Sequence, residues 1–172
     1  MTPLQAQYHL LMLRLGEYAE YDKALDRLLE EQDPLSPLVL ELACCMSDRR
    51  QTISVLHNFL LDHPADERQL MESQLDWVRK QYSEKAMTAV QAAEYLSRLY
   101  WIKSDLEPWW EMFIYLDDYE LYADGMISLS VFEQCFEARL LRDEMLNPWK
   151  LQEGENREKS LVGRLRALIG RE

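Results

Sequence analysis

The side chains of this 172-residue chain that could do chemistry are few and scattered. A zinc or acid–base centre would draw on His9, His57 and His63, of which the last two are six residues apart with Asp62 adjacent. No two histidines stand at i,i+4 around a Glu, the spacing that brings two imidazoles onto one helical face. His63, next to Pro64, reads as a partner for a helix C-terminus. Asp117 and Asp118 are consecutive, so on a helix they diverge and make no shared-proton dyad. Glu107 and Glu111, at i,i+4, could hold a cation or an Arg, and equally are ordinary solvated surface. The Glu-x-x-His pairs of a metal–carboxylate bundle are absent, as are a Gly-x-Ser-x-Gly elbow and a Gly-rich phosphate loop. Cys44, Cys45 and Cys135 form an odd set without metal spacing, and neighbours such as Cys44 and Cys45 bridge only under strain. Reduced thiols packed on apolar helices suit a reducing compartment. The expectation is a protein that is not an enzyme, with no metal and no cofactor.

One local pattern points to a cation. Asp124-Gly125-Met126-Ile127-Ser128 resembles the second half of an EF-hand calcium loop, in which Gly makes the turn and the Ile pairs with a sister loop. Calcium needs many oxygens, with a bidentate Glu closing the twelve-residue loop. With Glu120 as the first position, Tyr122 falls at the third and Val131 at the twelfth, so two ligand positions carry the wrong residue. A glycine helix stop followed by a cap from Ser130 and Glu133 explains the same residues. A calcium-responsive protein is kept as an alternative.

The elements that must position these side chains are helices. Thr2-Pro3 with Gln5 is a capping box with proline in the first turn, and Gly16 closes that helix. Tyr18, Tyr21, Ala24, Leu25, Leu28 and Leu29 then share one helical face, ended by Pro34. Ser36-Pro37 and Asp48 with Gln51 open two more helices, the second closed by Pro64. A long helix runs through Leu70, Trp77 and Tyr82, and Thr88 with Gln91 caps the next. Past Pro108 a helix is expected from Trp109 to Tyr122, then one capped at Ser130 and reaching Met145, ended by Asn147-Pro148. Residues 151–172 read as a polar linker, Gln152 to Glu158, and a short basic amphipathic helix carrying Leu161, Leu165, Leu168 and Ile169. β-branched alternation is absent, so the fold class is all-α. One domain over residues 1–150 is expected, an antiparallel bundle or array of about eight or nine helices.

Pro3, Pro34 and Pro64 are spaced by 31 and 30 residues, and a shift of 31 superposes Leu25 on Leu56, Leu28 on Phe59 and Leu29 on Leu60. Leu15-Gly16-Glu17-Tyr18 with Ala24, Leu28 and Pro34 looks like the second helix of a tetratricopeptide repeat. That resemblance covers residues 13–64 and implies a helical-repeat adaptor with a peptide groove on the hairpins of residues 3–64. The period is shorter than that family's and no third unit follows Pro64. Two similar antiparallel hairpins within a bundle account for the same spacing.

Charge gives the last indication. The formal charge is −12, and residues 104–138 hold nine acids without a Lys, Arg or His, together with Trp109, Trp110, Phe113, Tyr115, Tyr119, Tyr122, Phe132 and Phe136. Phosphate binding needs clustered cations, so nucleic acid and anionic membrane are not expected as partners. The basic tail could fold back on this stretch and neutralise it. Left open, carboxylates steer a cationic protein and rings anchor it. In size, charge and texture the stretch from Leu99-Tyr100-Trp101 through Trp109-Trp110-Glu111-Met112-Phe113 to Phe132 resembles small acidic helical bacterial immunity proteins. That resemblance implies a cytoplasmic binding module that neutralises a cationic toxin, such as a nuclease domain, acting as monomer or homodimer. The expected contact residues are Glu107, Trp110, Glu111, Tyr115, Asp117, Asp118, Tyr119 and Tyr122. No apolar run approaches a bilayer span, and Met1 to Leu15 lacks the basic start and small-residue cleavage site of a signal peptide.

Overall fold

The computed structural model describes the backbone of residues 1–45 and 48–169 and, apart from Ser160, Leu161 and residues 163–169, their side chains. Among the described residues there are nine α-helices, one 3₁₀ helix and no strand, so the all-α class is shown. The helices are α1 (Pro3–Leu15), α2 (Tyr18–Glu31), α3 (Pro37–Cys45), α4 (Arg49–Asp62) and α5 (Glu67–Ser83). They continue as α6 (Ala89–Lys103), the 3₁₀ helix Glu107–Met112, α7 (Phe113–Ala123), α8 (Leu129–Arg142) and α9 (Pro148–Ile169). Residues group into two compact units, Met1–Asp76 with Trp101–Trp109, and Trp77–Tyr100 with Trp110–Glu172.

In the first unit α1 is apolar on nearly every side, burying Leu10, Leu11, Met12, Leu13 and Leu15, and therefore sits centrally, against α2 and α4. The Thr2–Gln5 capping box forms as the sequence predicts. Gly16 closes α1 at φ +80, its N–H donating to the Leu13 carbonyl and that of Glu17 to the Met12 carbonyl. The 31-residue shift is real in the fold, because α2 and α4 have the same length and begin that far apart. Leu25 and Leu56 are both buried. Arg49 ties the two helices by a bidentate pair to Asp22, 2.8 Å on each oxygen, with its guanidinium over the Tyr18 and Tyr21 rings. The first helices of the two hairpins differ in length, and α5 does not extend the series.

The second unit contains a duplication that composition hides. At the end of α5, Glu84 N–H donates to Lys80, Lys85 to Tyr82, and Ala86 and Met87 both to Gln81. Forty residues later the same four bonds recur: Asp124 to Glu120, Gly125 to Tyr122, and Met126 and Ile127 both to Leu121. Each turn has one left-handed residue, Lys85 at φ 58 and Gly125 at φ 71, and a hydroxyl cap follows three residues later, Thr88 and Ser128. The glycine stop expected at Gly125 is therefore one of a matched pair. Its twin escapes notice because a Lys occupies the position that favours Gly.

Several boundaries differ from expectation. Instead of one helix from Trp109 to Tyr122, a 3₁₀ segment precedes α7: Pro108 has no N–H, and Trp109 N–H takes the Leu106 carbonyl three residues back. The cap of α8 is Ser128, whose hydroxyl accepts from Val131 N–H at 3.2 Å, whereas Ser130 lies within the helix. That helix stops at Arg142 rather than Met145, because Asp143 turns left-handed at φ 55 and Glu144 N–H reaches back to the Ala138 carbonyl. Asn147-Pro148 opens a helix instead of closing one, with Asn147 Oδ1 accepting from the N–H groups of Trp149 and Lys150. The linker expected over Gln152 to Glu158 is the middle of α9. Gly154 costs that helix about 1 kcal/mol at an exposed site, and the Glu155–Lys159 pair, 3.1 Å apart at i,i+4, works against that cost. The stripe of Leu161, Leu165, Leu168 and Ile169 lies outside the described side chains.

Candidate functional site

α7 owes its position to α8, against which it packs. Its inner side carries Tyr115, Leu116 and Asp118, with Tyr119 and Tyr122 half-buried beside them. Two of the expected contact residues are thereby corrected. Tyr115 is 7% exposed and Asp118 3%, too buried to meet a partner. The reason is helical phase: positions 115, 118 and 122 point to α8 together. Asp118 Oδ2 sits 3.1 Å from Arg139 Nη2 of α8, an ion pair with both side chains out of solvent. Burial raises the Asp118 pKa, opposed by the attraction of Arg139. Next to this pair, burial pushes the Cys135 thiol up to about 11, which keeps it protonated and unreactive.

Tyr119 and Tyr122 also serve packing more than display. Tyr122 stacks on Phe132 at 5.2 Å and 16°, and Tyr119 meets the same ring at 5.8 Å. The Tyr119 hydroxyl donates to Glu94 Oε1 at 3.4 Å. Elsewhere in the second unit Trp77 of α5 faces Tyr95 of α6 at 5.0 Å. The remaining candidates, Glu107, Trp110, Glu111 and Asp117, are exposed, with Glu107 in the first unit and the other three in the second. The neighbouring tryptophans divide between core and surface, Trp109 fully buried and Trp110 56% exposed.

Phe113 and Ile114, not among the expected contact residues, complete the outer side at 44% and 45% exposure. Their signal was present: the segment from Phe113 to Ala123 does not gather its apolar residues on one face, so it must either be enclosed or show an apolar flank to water. Here the flank at Trp110, Phe113 and Ile114 gives way along the same side to Asp117, Glu120 and Asp124, all exposed. Glu120 and Asp124 sit at the C-terminal end of α7, where the helix dipole is itself negative and no basic residue stands in the last turn. Helix stability alone disfavours that placement.

The other polar clusters are closed. Glu67 of α5 accepts from Gln7 Nε2 at 2.6 Å, from Lys103 Nζ at 2.8 and 3.0 Å, and from Trp109 Nε1 at 2.9 Å. Lys103 is buried, with its ammonium 5.7 Å from the Trp109 ring centre, so this is a saturated clasp within the first unit. His9 is buried edge-on to Tyr21, and burial lowers its pKa to about 4, leaving it neutral at pH 7. Burial likewise pushes the Tyr21 hydroxyl up to about 12. His63 caps α4, its Nδ1 3.1 Å from the Phe59 carbonyl. Among the described residues no three His, Cys, Asp or Glu side chains are grouped to hold a metal, and no helix is long and apolar enough to cross a membrane.

The basic tail expected to fold back does touch the second unit, where α9 packs on α8, yet the described contacts are made by acidic and neutral groups. Gln152 Oε1 accepts from Ser128 N–H and Glu155 Oε2 from the Ser128 hydroxyl, each at 2.8 Å. Hydrogen bonds from Ser128, Ser130 and Lys159 hold the Glu155 carboxyl below its usual pKa. The side chains of Arg164 and Arg166 lie outside the described residues. Set beside protein-family models, curated proteins and solved structures, the chain matches none of them, so its function has to be read from these residues.

Proposed function

We propose that the chain is a non-enzymatic protein-binding module that docks a cationic protein on the outer side of α7. The reading extends to an immunity-type role in a bacterial cytoplasm, in which the partner is a toxin whose basic surface is occluded. One observation carries it: Trp110, Phe113 and Ile114 stand out to solvent in a row that continues into Asp117, Glu120 and Asp124. Large rings at the centre and charge at the edge are what a hot spot with a steering rim requires. Carboxylates placed against the helix dipole support the reading further, since they are retained at a small cost to α7.

Affinity capture from the native cell tests it, comparing the natural chain with Asp117→Lys/Glu120→Lys and with Trp110→Ala/Phe113→Ala. The charge variant should capture its partner more slowly at low salt, and the ring variant should release it faster. Both should melt near the natural temperature, since none of the four side chains is enclosed. A partner captured and released at unchanged rates by both variants would remove the proposal.

A further inference from the structure

A second site lies in the first unit. A cleft of about 430 Å³ opens between α3 and α4, with an apolar lining from Pro37, Leu38, Val55 and Phe59. Its polar groups are Ser36, Glu41, Asn58, Asp62 and His63, with the Met1 ammonium donating to Ser36 Oγ at 3.4 Å, so two carboxylates face one cation. That volume falls within the roughly 300–1,000 Å³ of sites that enclose a ligand or a few side chains.

Three features say what the cleft fits. Its wall is prebuilt, because the His63 ring stacks on Phe59 at 4.5 Å and 13° and is held by the Phe59 carbonyl. The carboxylates lining it are Glu41 of α3 and Asp62 of α4, and neither has an ion-pair partner among the described residues. α3 is apolar beyond the side it buries: Val39, Leu42 and Cys45 face inward, yet Leu40 is exposed and Leu38 reaches the cleft. An apolar floor, a π-face and two carboxylates without an ion-pair partner among the described residues complement a cation attached to an apolar body.

We infer that this cleft binds a peptide segment in which one aliphatic or aromatic side chain is flanked by Lys or Arg. The apolar side chain enters over Leu38, Val55 and Phe59, and the flanking cations meet Glu41 and Asp62. This site is separate from the α7 face and stands or falls independently of it.

The test uses the full chain and two capped synthetic peptides, Lys-Leu-Lys-Phe-Lys and its charge reverse Glu-Leu-Glu-Phe-Glu. Binding is followed by fluorescence anisotropy, and its location by amide and methyl chemical shifts. The cationic peptide should bind and shift Leu38, Val55, Asn58 and Phe59. Glu41→Lys/Asp62→Lys should weaken it by about tenfold or more, as expected when two attractive contacts become repulsive. Filling the floor with Val55→Trp should abolish binding, which distinguishes the cleft from attraction to an acidic protein in general. As a folding control, the Asp62→Lys change places a cation at the C-terminal end of α4, where the helix dipole favours it. Equal binding of both peptides, shifts confined to α7, retention by the Val55→Trp chain, or no binding at all would each overturn the inference.

Discussion

Asp117 and Asp118 are neighbours in sequence with opposite surroundings, and replacing each by Ala turns that difference into a measurement. Asp117 is exposed, so Asp117→Ala should change stability by no more than about 0.5 kcal/mol. Asp118→Ala strands the Arg139 guanidinium, buried with its partner removed, and breaking such a pair costs roughly 3–5 kcal/mol. Among the described residues the Arg139 Nε has no acceptor, so the guanidinium is already short of one hydrogen bond. For a chain of this length about 1 kcal/mol corresponds to roughly 2–4 °C, which places Asp118→Ala about 6–20 °C below Asp117→Ala. Urea unfolding followed by circular dichroism gives the free energies, and a thermal melt the temperatures. Replacing both partners, Asp118→Leu with Arg139→Met, should recover most of the loss, because desolvating two charges costs about as much as their attraction returns. Equal stabilities for the two alanine variants would refute the buried pair and with it the assigned phase of α7.

Other consequences follow from the same reasoning. His9 has a folded pKa of about 4 against 6.5, so between these values the unfolded chain binds more protons and stability falls as pH drops from 6.5 toward 4. The span is worth about 3 kcal/mol, and His9→Leu should flatten that part of a urea-midpoint profile. Lys85→Gly should raise stability by roughly 0.5–1 kcal/mol, since a left-handed Lys costs about 1–2 kcal/mol and glycine's added unfolded freedom returns part of it. Gly125→Ala should lower it by a similar amount, with no clash involved because a Cβ there meets nothing within 4 Å; a melt of each variant checks both signs. Glu67→Ala should destabilise the first unit by roughly 3–5 kcal/mol by leaving the Lys103 ammonium buried alone. Lys103→Met should cost less, as Gln7 and Trp109 still donate to Glu67, and the two urea midpoints should rank accordingly.

What could be read from sequence was punctuation. Thr2 with Gln5, Gly16, Asp48 and Thr88 announce helix ends through side-chain chemistry that acts within three or four residues, and each stands where expected. Ser128 and Ser130 are both plausible caps by type, and only the backbone decides between them. Gln152 to Glu158 lacks an apolar period, yet it is helical, because α9 is anchored near Ser128 and Asn147 and carried through by local pairs. The partition of α7 was half legible. Its exposed flank follows from apolar residues spread around the helix, whereas the placement of Asp118 against Arg139 and of Tyr122 against Phe132 depends on residues far along the chain. The twin of the Gly125 turn went unread since the sequence there offers Lys.

The clasp on Glu67 bears on how the chain can be divided in the laboratory. Residues 101–109 return to the first unit and supply Lys103 and Trp109, two of the three groups that meet on that carboxylate. A fragment cut after residue 76 would leave Glu67 with Gln7 alone, and the complementary piece would carry an orphaned ammonium beside a bare indole. Deletion mapping at that junction would therefore score loss of folding as loss of binding. Point substitutions, or co-expression of both halves, keep the two readouts apart.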